Sequence, residues 1–82
     1  MSTEMVLALR KAVQGHLLYA SARPVAGRVT ANPGTLRSLQ VRGFIARQLD
    51  DDGRAVFRVT IVGRRAYRRL VGPMLEVERG AK

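Results

Sequence analysis

Near the start of the chain, apolar residues recur at helical spacing. Met5, Val6, Leu9, Val13, Leu17 and Ala20 share one side, while Arg10, Lys11 and Gln14 lie opposite. Ser2 or Thr3 can cap this helix, with Glu4 near its positive end. The pattern predicts helix 1 over residues 3–20. Gly15 weakens it and allows another element to pack closely. Ser21-Ala22-Arg23-Pro24 then breaks the pattern. Pro24 suits a first helical turn, and Val25 and Val29 can share a face, so a short helix 2 is expected over residues 24–30. Gly27 and the β-branched pair Val29-Thr30 keep a turn or a short strand as the alternative.

The next stretch has the sharpest punctuation. Asn32 is a good N-cap and Pro33 fits the first helical position, where its missing N–H costs nothing. Leu36, Leu39 and Gln40 fall on one side of a helix over residues 33–42, ended by Gly43. Thr35, Arg37, Ser38, Val41 and Arg42 fall on the other. The apolar edge is too narrow for a core helix. Residues 44–60 read as a hairpin: Phe44 to Leu49 as one strand, Asp50-Asp51-Asp52-Gly53 as the turn, Arg54 to Thr60 as the return. Phe57 and Val59 point one way; Val56, Arg58 and Thr60 point the other. Thr60 can cap a last helix over residues 61–71, with Ala66 and Leu70 on one face and Arg64, Arg65, Arg68 and Arg69 forming a basic surface. Gly72-Pro73 is a stop signal, leaving residues 72–82 as a tail that frays at Gly80-Ala81-Lys82. The expected fold class is α+β, in a single domain over residues 1–82.

Charge changes this picture most. Of 82 residues, 15 are Lys or Arg and 6 are Asp or Glu, a formal net charge of +9. Arginine dominates the basic set. Its planar fork grips phosphate bidentately and stacks on bases, which suits nucleic acid. A GC-rich coding sequence would also favour arginine over lysine, but it does not explain the shortage of acids. There is no cysteine, so disulfides and thiolate zinc sites are out. His16 is the sole histidine and reads as a packing or helix-end residue rather than a metal ligand. The triple aspartate lacks the alternating ligands and distant Glu of a calcium loop and reads as a solvated turn. No cofactor and no small-molecule ligand are expected. With no nucleophile–base pair, no carboxylate pair outside the turn and no phosphate loop, an enzyme is not expected either. No apolar run approaches the length of a membrane span and no secretory pattern opens the chain, so a cytoplasmic, nucleoid-associated protein is expected.

Leu36-x-x-Leu39-x-x-x-Gly43-Phe44-Ile45-x-Arg47, an Asp-Gly turn, and Phe57-Arg58-Val59-Thr60-x-x-Gly63-Arg64 together resemble winged helix-turn-helix regulators of the MarR and PadR kind, over about residues 24–70. In that family a recognition helix steps through Leu-x-x-x-Gly into the wing, and the wing returns through an apolar-Thr-x-x-Gly step into the next helix. The chain departs from the family in its short, glycine-bearing helix 2, in the Pro33-Gly34 start of the recognition helix, and in lacking long terminal helices. A minimal winged helix of a small phage or bacterial regulator is the nearer likeness. It has three helices, a two-stranded wing and a C-terminal helix.

The resemblance implies double-stranded DNA as partner and transcription regulation as role. On this reading Thr35, Arg37, Ser38 and Arg42 contact the major groove, Asn32 and the free N–H groups at the helix start hold a phosphate, and Arg28 on helix 2 clamps another. Arg47, Arg54 and Arg58 on the wing flanks reach the backbone or minor groove. The acidic tip repels phosphate and moves contact onto those flanks. Taken singly, each arginine can equally be a solvated surface charge; the expectation rests on the cluster. A protein-interaction module docking on an acidic partner is the alternative, with Val41 and Met74 to Val77 as seeds of an apolar patch. Structured RNA is a third option, disfavoured because Phe44 and Phe57 look buried and leave no stacking platform. Helix 1 and residues 70–79 are the stretches open to a homodimer contact.

Overall fold

The computed structural model describes the backbone of residues 1–80 and the side chains of residues 1–72; the terminal Ala81-Lys82 of the expected frayed tail lies outside the described residues. The chain runs α1 (Thr3–Val13), β1 (Leu18–Ala20), β2 (Val29–Ala31), α2 (Pro33–Val41), β3 (Ile45–Leu49), β4 (Ala55–Val59) and α3 (Ile61–Gly80). The expected α+β class holds. Against four expected helices and two strands, the described residues form three helices and four strands.

Helix α1 begins as its sequence suggests, with Ser2 Oγ accepting the Met5 N–H. Met5, Ala8, Leu9 and Ala12 are buried along one stripe. The helix then stops well short of residue 20, which corrects the first expectation. Gly15 takes a left-handed φ of 98°. Its N–H donates to Ala12 O and that of His16 donates to Lys11 O, the paired bonds of a Schellman end. Residues beyond it become extended: Leu18 is fully buried in β1, while Leu17 and Ala20, assigned to the helical stripe by spacing, are exposed.

Helix 2 is absent. Residues 24–28 form a turn, in which the Arg28 N–H donates to Val25 O, and Val29–Ala31 form the strand β2. The β-branched pair Val29-Thr30 prefers the pleated surface, and β1 offers it a partner. β2 runs parallel to β1 (Leu18 opposite Val29), and β1 runs antiparallel to β4 (Leu18 opposite Phe57, Tyr19 opposite Val56). The sheet order is β2-β1-β4-β3. So the segment expected as a helix before α2 is a sheet edge instead, and α2 packs on α1 and β3.

Helix α2 starts where Asn32 Oδ1 accepts the Gly34 N–H at 2.9 Å, with Pro33 in its first turn. It ends one residue before the expected Arg42, through Gly43 at φ 76°, whose N–H donates to Gln40 O while that of Phe44 donates to Leu39 O. Only Leu36 and Leu39 of this helix are buried; Gln40, placed beside them by spacing, is exposed. The hairpin β3–β4 follows, in register from Ile45 opposite Val59 to Leu49 opposite Ala55.

Thr60 joins hairpin to α3. Its Oγ1 accepts the Gly63 N–H at 3.0 Å and donates to Gly43 O at 2.6 Å, and its own N–H donates to Phe44 O. Gly63 is buried so tightly here that a Cβ would land on the Phe44 carbonyl. The expected stop at Gly72-Pro73 does not occur: α3 continues for 20 residues to Gly80. A proline inside a helix costs about 3 kcal/mol. Good helix formers, Arg68-Arg69-Leu70 before and Met74-Leu75-Glu76 after, let the helical preference resume beyond the proline.

The helices and one face of the sheet enclose a single core of Met5, Ala8, Leu9, Ala12, Leu18, Leu36, Leu39, Ile45 and Phe57, with Val29, Phe44, Val59 and Tyr67 packed around it. Val56, on the other face by register, is also fully buried; its opposite neighbours are Tyr19 and Gln48.

Candidate nucleic-acid interface

The burial of Leu36 and Leu39 decides what α2 presents to solvent. At about 100° per residue, the face opposite those leucines carries Gly34, Arg37, Ser38 and Val41. Arg37 is exposed, Ser38 is half-buried, and Val41 is 79% exposed, the most open of the large apolar side chains described. Arg42 stands at the C-cap, where its guanidinium donates to Ser38 O at 3.2 Å. The structure therefore brings Arg37 and Ser38 to one exposed side of the helix, with Arg42 at its C-terminal end. Thr35 is half-buried and lines a groove of about 340 Å³ with Glu4, Leu7 and Lys11 of α1 and Thr30 of β2. Spacing puts it on the reading face; packing of α1 against α2 places it at the border of that face instead.

At the helix start, Asn32 is exposed, but its carboxamide oxygen is already occupied by the Gly34 N–H. What remains open for an anion there is the side-chain NH₂ and the backbone N–H groups that follow.

The hairpin arginines divide. Arg47 lies opposite Phe57, on the face that carries the helices; Arg58 lies opposite Ala46, on the other face. Arg28, expected on a helix, sits instead in the turn before β2, with its guanidinium 4.7 Å from the centroid of the Tyr19 ring. By register Tyr19, Val56 and Arg58 share the outer face of the sheet. The nine expected contact residues thus do not form one surface: Asn32, Arg37, Ser38 and Arg42 lie along α2, Arg47 on the helix-bearing sheet face, Arg28 and Arg58 on the outer side, Arg54 at the tip, and Thr35 in the groove beside α1.

That tip is more ordered than a solvated turn. Asp50 Oδ1 accepts the N–H groups of Asp52 and Arg54, at 2.9 and 2.8 Å, and Asp50 Oδ2 accepts the Tyr19 hydroxyl at 3.0 Å. This hydrogen bond raises the Tyr19 pKa above its ordinary value, because the carboxylate holds the phenolic proton; loss of hydration and the nearby negative charge act in the same direction. Nothing local in the sequence announces this pair, since its members are 31 residues apart. Asp51 and Asp52 stay exposed beside Arg54 and keep the tip unattractive to phosphate.

No family model, no curated protein and no solved structure matches the chain. The site's meaning rests on its own chemistry. A short helix shows arginine, hydroxyl and methyl groups outward and leads directly into a hairpin with arginines on both faces. Among the described residues, no three His, Asp or Glu side chains converge as a metal ligand set, and no helix is long and apolar enough to cross a membrane.

Proposed function

We propose that this chain binds double-stranded DNA as a small regulator, with α2 in the major groove and the β3–β4 hairpin against the backbone. The supporting observation is the outward face of α2: a helix anchored by two leucines that leaves Arg37, Ser38 and Val41 in solvent. Arginine pairs with guanine O6 and N7, a serine hydroxyl serves either a base or a phosphate, and valine methyls suit the thymine methyl. The formal charge of +9 supplies the sequence-independent attraction. This reading is a reduced winged helix, with β2 and its turn in the place of the family's helix before the recognition helix. It implies a protein working on the chromosome in the cytoplasm.

The same basic charge also favours a second reading, docking on an acidic protein.

Anisotropy titrations of duplex DNA over a salt series separate the two. DNA binding predicts that log K falls linearly with log salt, with a slope of about −0.9 per phosphate neutralised. Arg37→Ala should lower discrimination between sequences by about 1–3 kcal/mol, whereas Arg58→Ala should weaken all duplexes alike and reduce the slope by about 1. Absence of binding to any duplex at low salt overturns the proposal.

A further inference from the structure

A second surface lies on α3 and reaches Arg42 at the C-terminal end of α2. Met1, Phe44, Val62, Ala66 and Leu70 line an open groove of about 480 Å³, and Arg42, Arg65 and Arg69 rim it. Val62 and Leu70 are 53% and 44% exposed, and Met1 is 47% exposed. Val62, Ala66 and Leu70 recur every four residues, so the apolar floor is one continuous stripe of the helix. A stripe of this kind bordered by like charges fits an occupant that is apolar and acidic together.

The chain contains one such stretch, Met74-Leu75-Glu76-Val77-Glu78. It lies in the second half of α3 itself. A helix rises about 1.5 Å per residue, so position 76 stands about 15 Å along the axis from position 66 and cannot fold back onto it. The matching segment must come from a second copy. The charge order along α3 sets the direction: Arg64, Arg65, Arg68 and Arg69 make the first half basic, while the second carries Glu76 and Glu78 against the single Arg79. Parallel pairing would set arginine against arginine. Antiparallel pairing about a two-fold axis near position 70 sets each arginine half against a glutamate half, twice.

We infer that two copies of this chain associate through antiparallel α3 helices, the Met74–Glu78 segment of each seated in the arginine-rimmed groove of the other. The inference does not depend on DNA binding, and its test uses no nucleic acid.

Size-exclusion chromatography with light scattering of the full chain should give twice the chain mass. Two double variants then fix the geometry: Arg65→Glu with Arg69→Glu puts acids on the groove rim opposite the partner's Glu76 and Glu78, and Glu76→Arg with Glu78→Arg puts arginines on the incoming segment opposite the partner's Arg65 and Arg69. Each alone should weaken self-association about tenfold or more through like-charge contacts. Circular dichroism should show both still folded, because Arg65 and Arg69 are exposed and all four replacements are good helix formers. Mixed in equal amounts, they should form a mixed dimer as tight as the original. A monomeric unmodified chain overturns the inference. So do variants that self-associate undiminished, and so does a mixture that stays monomeric.

Discussion

The two connections that lead into and out of α2 are held in different ways. The incoming one, residues 14–32, is positioned by pairing with distant chain: Leu18 lies opposite Phe57 and Tyr19 opposite Val56, with β2 added outside β1. The outgoing one, residues 42–63, is a clamp. Gly43 and Phe44 give their carbonyls to Thr60, and Gly63 packs directly on Phe44. The first holds α2 through the sheet. The second ties the end of α2 to the hairpin and to α3 at one point. The clamp should therefore be brittle, and the sheet support more forgiving.

Gly63→Ala is the harshest way to break that contrast. The new methyl meets a backbone carbonyl that Thr60 also holds, so neither the glycine nor Phe44 can shift without losing a hydrogen bond. The expected loss is on the order of 4 kcal/mol, at the severe end for a single substitution, and urea unfolding would measure it. Unchanged stability would show that the junction is looser than described. Leu18→Ala tests the other connection. It empties a fully buried site in β1 and should cost about 3 kcal/mol. Amide exchange should rise along β1 and its partner β4, while the Thr60 and Gly63 amides stay protected. If the clamp amides open equally, the two connections are one cooperative unit and the comparison fails.

The same contrast explains how much was legible from residues alone. The outgoing connection is written in local chemistry. Asn32-Pro33 starts the helix, Gly43 ends it, Asp-Gly turns the hairpin, and Thr60 with Gly63 begins α3. Each signal acts over a few residues, so spacing reveals it. The incoming connection is written in partners far along the chain. Residues 16–20 continue the helical spacing of α1, and only the left-handed Gly15 with its Schellman bonds, together with the pairing to β4, makes them a strand. Val29-Thr30 shows its strand tendency openly, but its partner β1 carries the helical spacing of α1. Within the candidate site, Arg37 and Ser38 follow from helical rotation once Leu36 and Leu39 are known to be buried. That Thr35 borders α1 and that Arg42 bonds back to Ser38 O needed the fold. The stacking of Arg28 on Tyr19 needed the fold.

The finest test lies where the two connections touch. Tyr19 belongs to the incoming strand and Asp50 to the hairpin turn, and their hydrogen bond spans both. The carboxylate that receives it also fixes the turn through the Asp52 and Arg54 amides. Tyr19 has its pKa raised in the folded chain, chiefly by that hydrogen bond. The protonated phenol is therefore the form that stabilises. Its contribution is fully present below the ordinary tyrosine value of about 10 and is lost as pH rises through the folded value, where phenolate would face carboxylate. Tyr19→Phe should accordingly be less stable than the unmodified chain at neutral pH, by the smallest margin of the three substitutions. The gap should close as the pH climbs past about 10. Amide exchange at Asp52 and Arg54 should quicken in the variant, while that at Thr60 and Gly63 should not. The tyrosine absorbance that Tyr19→Phe removes should titrate later than an ordinary phenol. A gap that stays constant with pH would mean that Tyr19 supports the sheet only by covering Val56, and that the hairpin turn stands without its hydroxyl.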